Sequence, residues 1–534
     1  MEAIGAEGAA LEAAQPAGGS ARGQELAFRG ALVLVGFMGA GKTTAARVAA
    51  AALGARAIDT DHEIERELGE SIASFFDREG EAAFRALEER VVLRVLDSED
   101  ARVIALGGGA LGSERVREAL ARHTVVYLEV DPAEAWRRAS GGARPLARDR
   151  ARFEQLERER RPLYERVADA IFPAYCGRDA VRRALPALSA LREAPSGTRL
   201  VWAEAASGAH PVFFGRGLLA QGFFYPQDGR RFVVSDEQVA RLHRAPGATA
   251  TITVPAGEAS KTLASAERVL RELARSGCER RDLVVALGGG VVGDLAGFCA
   301  AVYQRGVRWV GVPSTLVAQV DSAYGGKTGV DLPEGKNYVG AYHLPAAVLC
   351  DPDLLATLPP EEIAAGYAEV VKTALIAGGQ LWARVRAGVE PTDPQVILGC
   401  LRTKLAVVAA DERDAGRRQV LNLGHTIGHA IEAATDYRRY RHGEAVAVGL
   451  LCALRLSGRE NLRQEVAELL RARGLPITYS GADPERVVEL VERDKKRTGG
   501  RVPFVLLEEP GRVTPGHELP RSEVLAAVKE VYAP

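Results

Sequence analysis

The 534-residue chain carries 69 Lys+Arg against 70 Asp+Glu, a net charge of -1, with 47% apolar and 26% charged residues. That balance excludes a disordered or fibrous chain and gives no electrostatic footing for nucleic acid or an anionic membrane; at about 100–200 residues per domain it allows three or four cores. No apolar run approaches the ~20 residues that span a bilayer, the acidic N-terminus is unlike a secretory signal, and the six scattered cysteines form no C-x-x-C pair, so a cytoplasmic protein without a disulfide framework is expected.

In chain order, residues 1–28 are rich in Ala, Gly and Glu and read as a flexible tail. ALVLVG (31–36) is a buried strand, Thr43–Leu53 a helix stopped at Gly54, ARAID (55–59) a strand and Ile72–Leu96 helical. ARVIAL (101–106) and TVVYLEV (124–130) add strands, and Arg152–Val167 an Arg/Glu-laced helix, so a parallel sheet covered on both faces is expected. Glu193–Arg199, with Pro195 and Gly197, reads as a linker. A second α/β region has strands at 232–236, 251–255, 282–288 and 309–313. After Pro359–Pro360, helical periodicity dominates to Arg473, where Gly474 is a natural stop.

Gly36-Phe-Met-Gly-Ala-Gly-Lys42-Thr43 follows a strand and precedes a helix, the context in which G-x-x-x-x-G-K-[ST] cradles phosphates. Backbone N–H groups of Gly39, Ala40 and Gly41, with Lys42, Thr43 and Thr44, would surround the ATP phosphates, Thr43 ligating Mg²⁺. Asp59 and Asp61 end the next strand. Asp59 suits a metal reached through water and Asp61 an acceptor hydroxyl; a helix N-cap pair is the alternative reading.

With SIASFFDREGEAAFRALEE (71–89), ALGGGA (105–110), ARPLA (143–147) and RRPLY (160–164), these motifs resemble shikimate kinase over about residues 28–190. The resemblance implies that Asp61, Arg85, Gly107, Gly108, Gly109 and Arg160 hold shikimate, with Asp61 catalytic. It also implies that Arg144 comes from a lid to the ATP phosphates and stabilises transition-state charge.

Only nine of the 69 basic residues are lysine, and most sit in Gly- or acid-containing turns of the second half: GGKTG (325–329), GKN (335–337), EVVK (369–372) and DKK (494–496). So many cations do not make a core; they read as an anion pocket. Gly288, Gly290 and Gly293 satisfy G-x-G-x-x-G after a strand, without the acid ~20 residues on that an ordinary dinucleotide fingerprint has. Three of nine histidines, His425, His429 and His442, fall within eighteen residues. The i,i+4 pair His425/His429 shares a helix face and suggests metal, with Glu369 a plausible carboxylate, while helix-packing histidines are the bland alternative.

Together with GEASK (257–261), YQRG (303–306), PSTLVAQVDSAYGGKTG (313–329) and RRQVLNLGHTIGHA (417–430), these segments resemble 3-dehydroquinate synthase across roughly 200–534. The resemblance implies catalytic NAD, Zn²⁺ or Co²⁺, and the substrate 3-deoxy-arabino-heptulosonate 7-phosphate. It assigns the metal to Glu369, His425 and His442, overruling the i,i+4 pair, and gives His429 and Lys372 to catalysis and substrate. Asp236, Glu258, Lys261, Gly288, Gly289, Gly290, Asp294, Ser314, Thr315, Asp321 and Lys336 would line the NAD site. Arg305, Asp321, Lys327, Asn337, Lys372, Lys404, Arg418, Asn422, His429 and one of Lys495 and Lys496 would hold the substrate. The chain departs from the family at Ser314, Ala323-Tyr324 and Asp331, none of them a metal ligand.

The implied fold class is α/β: a P-loop kinase-like parallel sheet with helices on both faces, then a Rossmann-like α/β domain and a mainly helical metal-binding domain. The expected boundaries are a tail 1–28, a kinase domain 29–192, a linker 193–199, an NAD-binding domain 200–358 and a helical domain 359–534. The expectation is thus one chain with two shikimate-pathway enzymes, whose steps are not consecutive in the pathway, and a homodimer through the synthase half. The alternatives are another sugar-phosphate cyclase or a polyol dehydrogenase in the C-terminal half, and a non-catalytic nucleotide-binding module in the N-terminal half.

Overall fold

The computed structural model of the chain describes residues 26–140, 149–497 and 503–534, with the side chains of 494–497 outside the described set. Most of the expected tail, and Arg144, therefore lie outside the described residues.

Five short strands, β1 (Leu32–Val35), β2 (Ala57–Asp59), β3 (Val103–Ala105), β4 (Thr124–Leu128) and β5 (Ala170–Phe172), pair in parallel in the order β2-β3-β1-β4-β5. Every residue of β1, β3, β4 and β5 is buried, as the uninterrupted apolar runs of a sheet covered on both faces require. The helix Ile72–Leu96 is interrupted at Gly80, whose φ of 82° and ψ of 173° are non-helical.

The second half supplies β6 (Arg199–Ala205), β7 (Gly208–Phe214), β8 (Arg231–Asp236), β9 (Ala248–Val254), β10 (Leu283–Gly288) and β11 (Arg308–Pro313). It continues with the ribbon β12 (Lys327–Leu332) and β13 (Gly335–Tyr342), then β14 (Ala347–Cys350) and a second ribbon, β15 (Phe504–Glu509) and β16 (Arg512–His517). Helices from Pro360–Ala377 to Pro484–Arg497 pack into one apolar cluster with Val201, Val212, Phe214, Val348 and Cys350 of the sheet.

The two halves share one sheet. The order is β2-β3-β1-β4-β5-β6-β7-β14-β11-β10-β8-β9, twelve strands. The segment read as a linker ends in Arg199, the first residue of β6, and β6 pairs in parallel with β5 through Ala170↔Leu200 and Ile171↔Val201. The only reversal along the described sheet is the hairpin β6–β7, with Leu200 opposite Phe213. Kinase-half strands and β6 therefore run against the strands from β7 to β9 along the rest of the sheet. Ligands of open parallel sheets bind at the C-terminal strand ends, so the two halves open their sites at opposite edges of the sheet.

The junction is dry on one face and ionic beside it. Phe172 of β5 stacks on Trp202 of β6, ring centroids 6.0 Å apart, within an apolar cluster running from Leu32 to Leu354. Arg402, on the helix Pro394–Ala410, pairs with Glu129 at the end of β4 and with Glu165 at 3.0 Å. Arg402→Ala strands two largely buried carboxylates. A thermal melt is expected to show a loss of about 2–3 kcal/mol, less than the ~3–5 of a fully buried pair because a fifth to a quarter of each side chain meets water.

No described helix is long and apolar enough to cross a membrane.

Candidate active sites

In the first half the loop after β1 wraps the N-terminus of the helix Lys42–Ala52. Gly39 (φ 80°) and Gly41 (φ 84°) take left-handed conformations, and a Cβ on Gly39 would lie 2.9 Å from the Ala135 carbonyl oxygen. Lys42 Nζ donates to the carbonyl oxygens of Gly36 and Phe37, at 2.9 and 3.2 Å. Thr43 Oγ1 donates to Asp59 Oδ2 at 2.5 Å, while Asp59 Oδ1 accepts the Asp61 N–H at 3.0 Å. Asp59 is thus both a helix N-cap and a partner of the hydroxyl expected to meet Mg²⁺.

Lys42, Thr43, Asp59, Asp61, Arg85, Gly108, Gly109 and Arg160 line a single cavity of about 350 Å³. Side chains at Gly107 and Gly109 would displace site residues: a Cβ on Gly107 would stand 2.5 Å from Asp61 Oδ1, and one on Gly109 2.0 Å from Arg85 Nη1. The Gly108 carbonyl oxygen accepts Arg160 Nη1 at 3.1 Å and the Tyr164 hydroxyl at 2.5 Å. A second cavity of about 410 Å³ lies beyond the phosphate loop, lined by Gly39–Gly41, Thr44, Asp131 and Arg178 among others. Sequence reasoning missed Glu88, buried within reach of Arg85 (Nη1–Oε2 2.5 Å), whose carboxyl is pushed up by burial against the pull of Arg85. Its signal was the i,i+3 spacing from Arg85 on one helix.

In the second half, Pro360–Ala377 carries Glu369 and Lys372 on one buried face, and two further helices begin at His425 and His442. Glu369 Oε1 lies 3.4 Å from His425 Nε2 and 3.5 Å from His442 Nε2. Both Glu369 oxygens are buried without a well-formed hydrogen bond, and Oε2 faces the Lys372 ammonium. Four ligands on a tetrahedral ion at ~2.0–2.1 Å lie ~3.3–3.4 Å apart, and the two separations from Glu369 Oε1 are close to that edge length. His425 Nδ1 is 3.3 Å from the Leu423 carbonyl oxygen and His442 Nδ1 3.2 Å from Glu432 Oε2, which frees both Nε2 atoms for a metal. His429 is exposed, and its imidazole belongs to the same group: ligating nitrogens of the three histidines fall within 4.8 Å of one another. The donor set fits a divalent ion.

Around this group lies a buried ionic cluster. Asp321 Oδ1 accepts Lys404 Nζ at 2.8 Å and stands 4.0 Å from Lys372 Nζ. Burial alone would raise the Asp321 and Glu369 carboxyls, but Lys372 leads the groups holding both below the usual carboxylate range. Arg418 is buried, with Nη2 donating to the Gly325 carbonyl oxygen at 3.0 Å; Lys327 pairs with Asp414 at 2.5 Å. Lys261 Nζ meets Asp294 at 2.6 Å and Asn337 Oδ1 at 2.5 Å. Asp331 accepts the backbone N–H of Asn337, which sits at φ 58°.

At the glycine turn, a Cβ on Gly288 would lie 2.6 Å from Val292 and one on Gly289 2.8 Å from Thr315; Ser314 Oγ is buried and has no hydrogen-bond partner among the described residues. The adjoining cavity, lined by Gly288–Gly290, Asp294 and Lys327, is narrow at about 20 Å³. Close backbone approach at the start of the helix Gly290–Val302 and an orphan hydroxyl fit a phosphate-bearing cofactor. Asp236 and Thr315 act as N-caps, of the helices Glu237–Leu242 and Leu316–Val320. Glu258 lies 3.6 Å from Lys336. Asn422 is exposed at the end of the turn Arg417–Asn422, and Arg305, at φ 65°, is exposed past the helix Gly290–Val302. Lys495 and Lys496 lie on Pro484–Arg497, their side chains outside the described residues.

The loop carrying Arg418 is organised by Asp411, which sequence reasoning also missed. Its carboxylate accepts the N–H groups of Ala415, Gly416 and Arg418 at 2.9, 2.8 and 3.0 Å, the Arg418 bond foremost in holding its pKa down at about 2. A carboxyl whose pKa is lowered by folding stabilises above its ordinary value, 3.8, and loses that contribution as pH falls toward 2. Asp411→Asn is therefore expected to lower the melting temperature at pH 7 and to converge with wild type between about pH 4 and 2, measured by melts across that range.

Fold and donor groups define a class: an α/β chain with a P-loop phosphotransferase site at one sheet edge and, at the other, a glycine turn beside a metal-ligating, lysine-lined cluster. The family model of shikimate kinase matches residues 38–184, and those of the N-terminal and C-terminal parts of 3-dehydroquinate synthase match 251–365 and 366–497. The 3-dehydroquinate synthase of Halorhodospira halophila is 46% identical over 332 residues, covering 59% of this chain and 94% of that protein. That of Symbiobacterium thermophilum is 44% identical over 332 residues, covering 57% and 92%. A solved 2-deoxy-scyllo-inosose synthase, in complex with carbaglucose-6-phosphate, NAD⁺ and Co²⁺, is 26% identical and covers 62% of this chain and 99% of its own, with a TM-score of 0.55. The chain belongs to the 3-dehydroquinate synthase family and carries a shikimate kinase domain ahead of it, making a bifunctional shikimate-pathway enzyme, a kinase and a lyase.

Proposed function

We propose that the cavity between Lys42 and Arg160 transfers the γ-phosphoryl group of ATP to shikimate, and that the Glu369–His425–His442 group serves the conversion of 3-deoxy-arabino-heptulosonate 7-phosphate to 3-dehydroquinate and phosphate. The observation that carries the second assignment is the triangle of Glu369 Oε1 and two imidazole Nε2 atoms beside a buried lysine cluster. The curated relatives at 46% and 44% identity favour this substrate over those of other cyclases.

In the kinase site, Arg85 and Arg160 flank the glycines and suit a carboxylate, which a guanidinium grips through two parallel bonds. Asp61 then accepts the proton of the attacking hydroxyl, Lys42 draws charge from the β- and γ-phosphates, and Arg144 is assigned to the same phosphates by the resemblance alone. Thr43 and Asp59 would hold Mg²⁺ at the positive helix end.

In the synthase site, bound NAD supplies hydride removal and return, and a bound Zn²⁺ or Co²⁺ supplies a Lewis acid for substrate oxygens. Glu369, His425 and His442 would hold the metal; Gly288–Gly290, Ser314 and the residues around Lys261 would hold NAD. Lys404 and Lys327, paired with Asp321 and Asp414, and Arg418, held by the uncharged Gly325 and Glu412 carbonyls, offer their charge to a dianionic phosphate. Lys372, buried beside Glu369, and His429, on the exposed side of the group, position hydroxyls and carry protons. The domain boundaries of the sequence reading, a cytoplasmic location and a homodimer through the synthase half belong to the same proposal, the dimer on the resemblance alone.

ADP formation tests the kinase assignment. It is expected to require both shikimate and Mg²⁺; ADP formed at the same rate without shikimate would mark a nucleotide-hydrolysing or sensing module instead.

A further inference from the structure

We infer that Glu432 is a positioning residue that ties the metal site to the cofactor site, an inference that rests on the assignment of the metal to Glu369, His425 and His442. Glu432 lies on the helix His425–Ala434 and is 3% exposed. Its two oxygens point to different sites. Oε2 is 3.2 Å from His442 Nδ1, and Oε1 is 3.3 Å from Lys336 Nζ.

The first contact fixes the imidazole. A carboxylate at Nδ1 selects the tautomer with its proton there and turns Nε2 toward Glu369, 3.5 Å away; His425 is held by a neutral carbonyl instead. The two histidines thus differ, His442 being the one whose basicity a carboxylate raises. The second contact reaches across to the ribbon. Lys336, the second residue of β13, faces Glu258 at 3.6 Å and lies over the Tyr437 ring, 4.7 Å from its centroid. A single buried carboxylate therefore contacts both a metal-facing imidazole, at 3.2 Å, and a lysine of the cofactor-facing ribbon, at 3.3 Å.

The test is zinc affinity of the purified full chain, by competition with a chromophoric chelator, together with NADH affinity from fluorescence titration. Glu432→Gln keeps shape and volume but cannot accept from both neighbours as an anion. It is expected to weaken zinc by ~10–100-fold, the usual cost of losing an outer partner, and to weaken NADH as well. Glu432→Asp should recover part of both, and Lys336→Met should weaken NADH while leaving zinc within threefold of wild type. Far-ultraviolet circular dichroism identifies variants that fold. Zinc affinity of folded Glu432→Gln within threefold of wild type would overturn the proposal, as would a loss that Glu432→Asp recovers no better than Glu432→Ala. If wild type itself binds no zinc, or Glu369→Gln binds it as wild type does, the metal assignment fails and this inference with it.

Discussion

Glu369→Gln is expected to reduce phosphate release from the heptulosonate phosphate by well over ~100-fold, since even an outer partner of a metal ligand is worth ~10–100-fold. Shikimate phosphorylation should stay within twofold of wild type. Glu369 and Lys372 are both 1% exposed and paired, so the substitution also removes the nearer of the two anions beside a buried ammonium. Asp321, 4.0 Å from Lys372, remains. Breaking a buried pair costs up to ~3–5 kcal/mol; the neutral amide and Asp321 reduce that, and the thermal transition should fall while remaining measurable. Metal content by elemental analysis and phosphate release together check the prediction. Wild-type metal content together with full phosphate release in the variant would remove Glu369 from the metal site.

Asp61→Asn is the mirror experiment. The substitution keeps the shape facing Gly107 but removes the proton acceptor. Kinase turnover should drop by ~10²–10⁴-fold, the usual contribution of a positioned base, with a smaller change in the KM for shikimate because Arg85 and Arg160 still face the cavity. Synthase turnover should not change. A pure KM effect would make Asp61 a binding group only, and an equal loss in both activities would mean that the two sites communicate.

The independence assumed in both experiments comes from topology. The hairpin β6–β7 reverses strand direction at the junction, so the C-terminal strand ends of the two halves face opposite edges of a continuous sheet. Such an arrangement does not present the product of one site to the other. It agrees with the non-consecutive steps that the resemblances imply. What the halves share is structure: the Phe172–Trp202 stack and the Arg402 cluster make the kinase sheet and the synthase helices parts of one body.

The features legible in the sequence were those written in local order. The phosphate loop is a strand, a glycine turn and a helix in succession, and β1 followed by Lys42–Ala52 has that form. The cluster of histidines was visible because His425, His429 and His442 fall within eighteen residues. Spacing alone pointed to the i,i+4 pair, and the structure brings both of its imidazoles together with His442; what spacing cannot show is that Glu369, more than fifty residues away, brings its Oε1 to 3.4 and 3.5 Å from His425 and His442. Glu88 and Glu432 escaped notice as ordinary helical acids: their roles depend on burial and on partners that only folding brings near. The hairpin at 199–214 was missed since strand pairing is settled by non-local neighbours, and here β5 and β14 on either side supply them. Arg305 is the opposite case, assigned to substrate by the resemblance yet exposed beyond the helix end.

The most direct measurement of the central claim, a metal- and NAD-dependent synthase site in a chain that is also a kinase, is phosphate release from 3-deoxy-arabino-heptulosonate 7-phosphate by metal-stripped protein with saturating NAD, before and after zinc is returned. The account predicts no release without metal, recovery with zinc, and shikimate phosphorylation by the same sample in Mg²⁺ throughout. Release that is indifferent to chelation, or absent in folded, zinc-loaded protein, would contradict it.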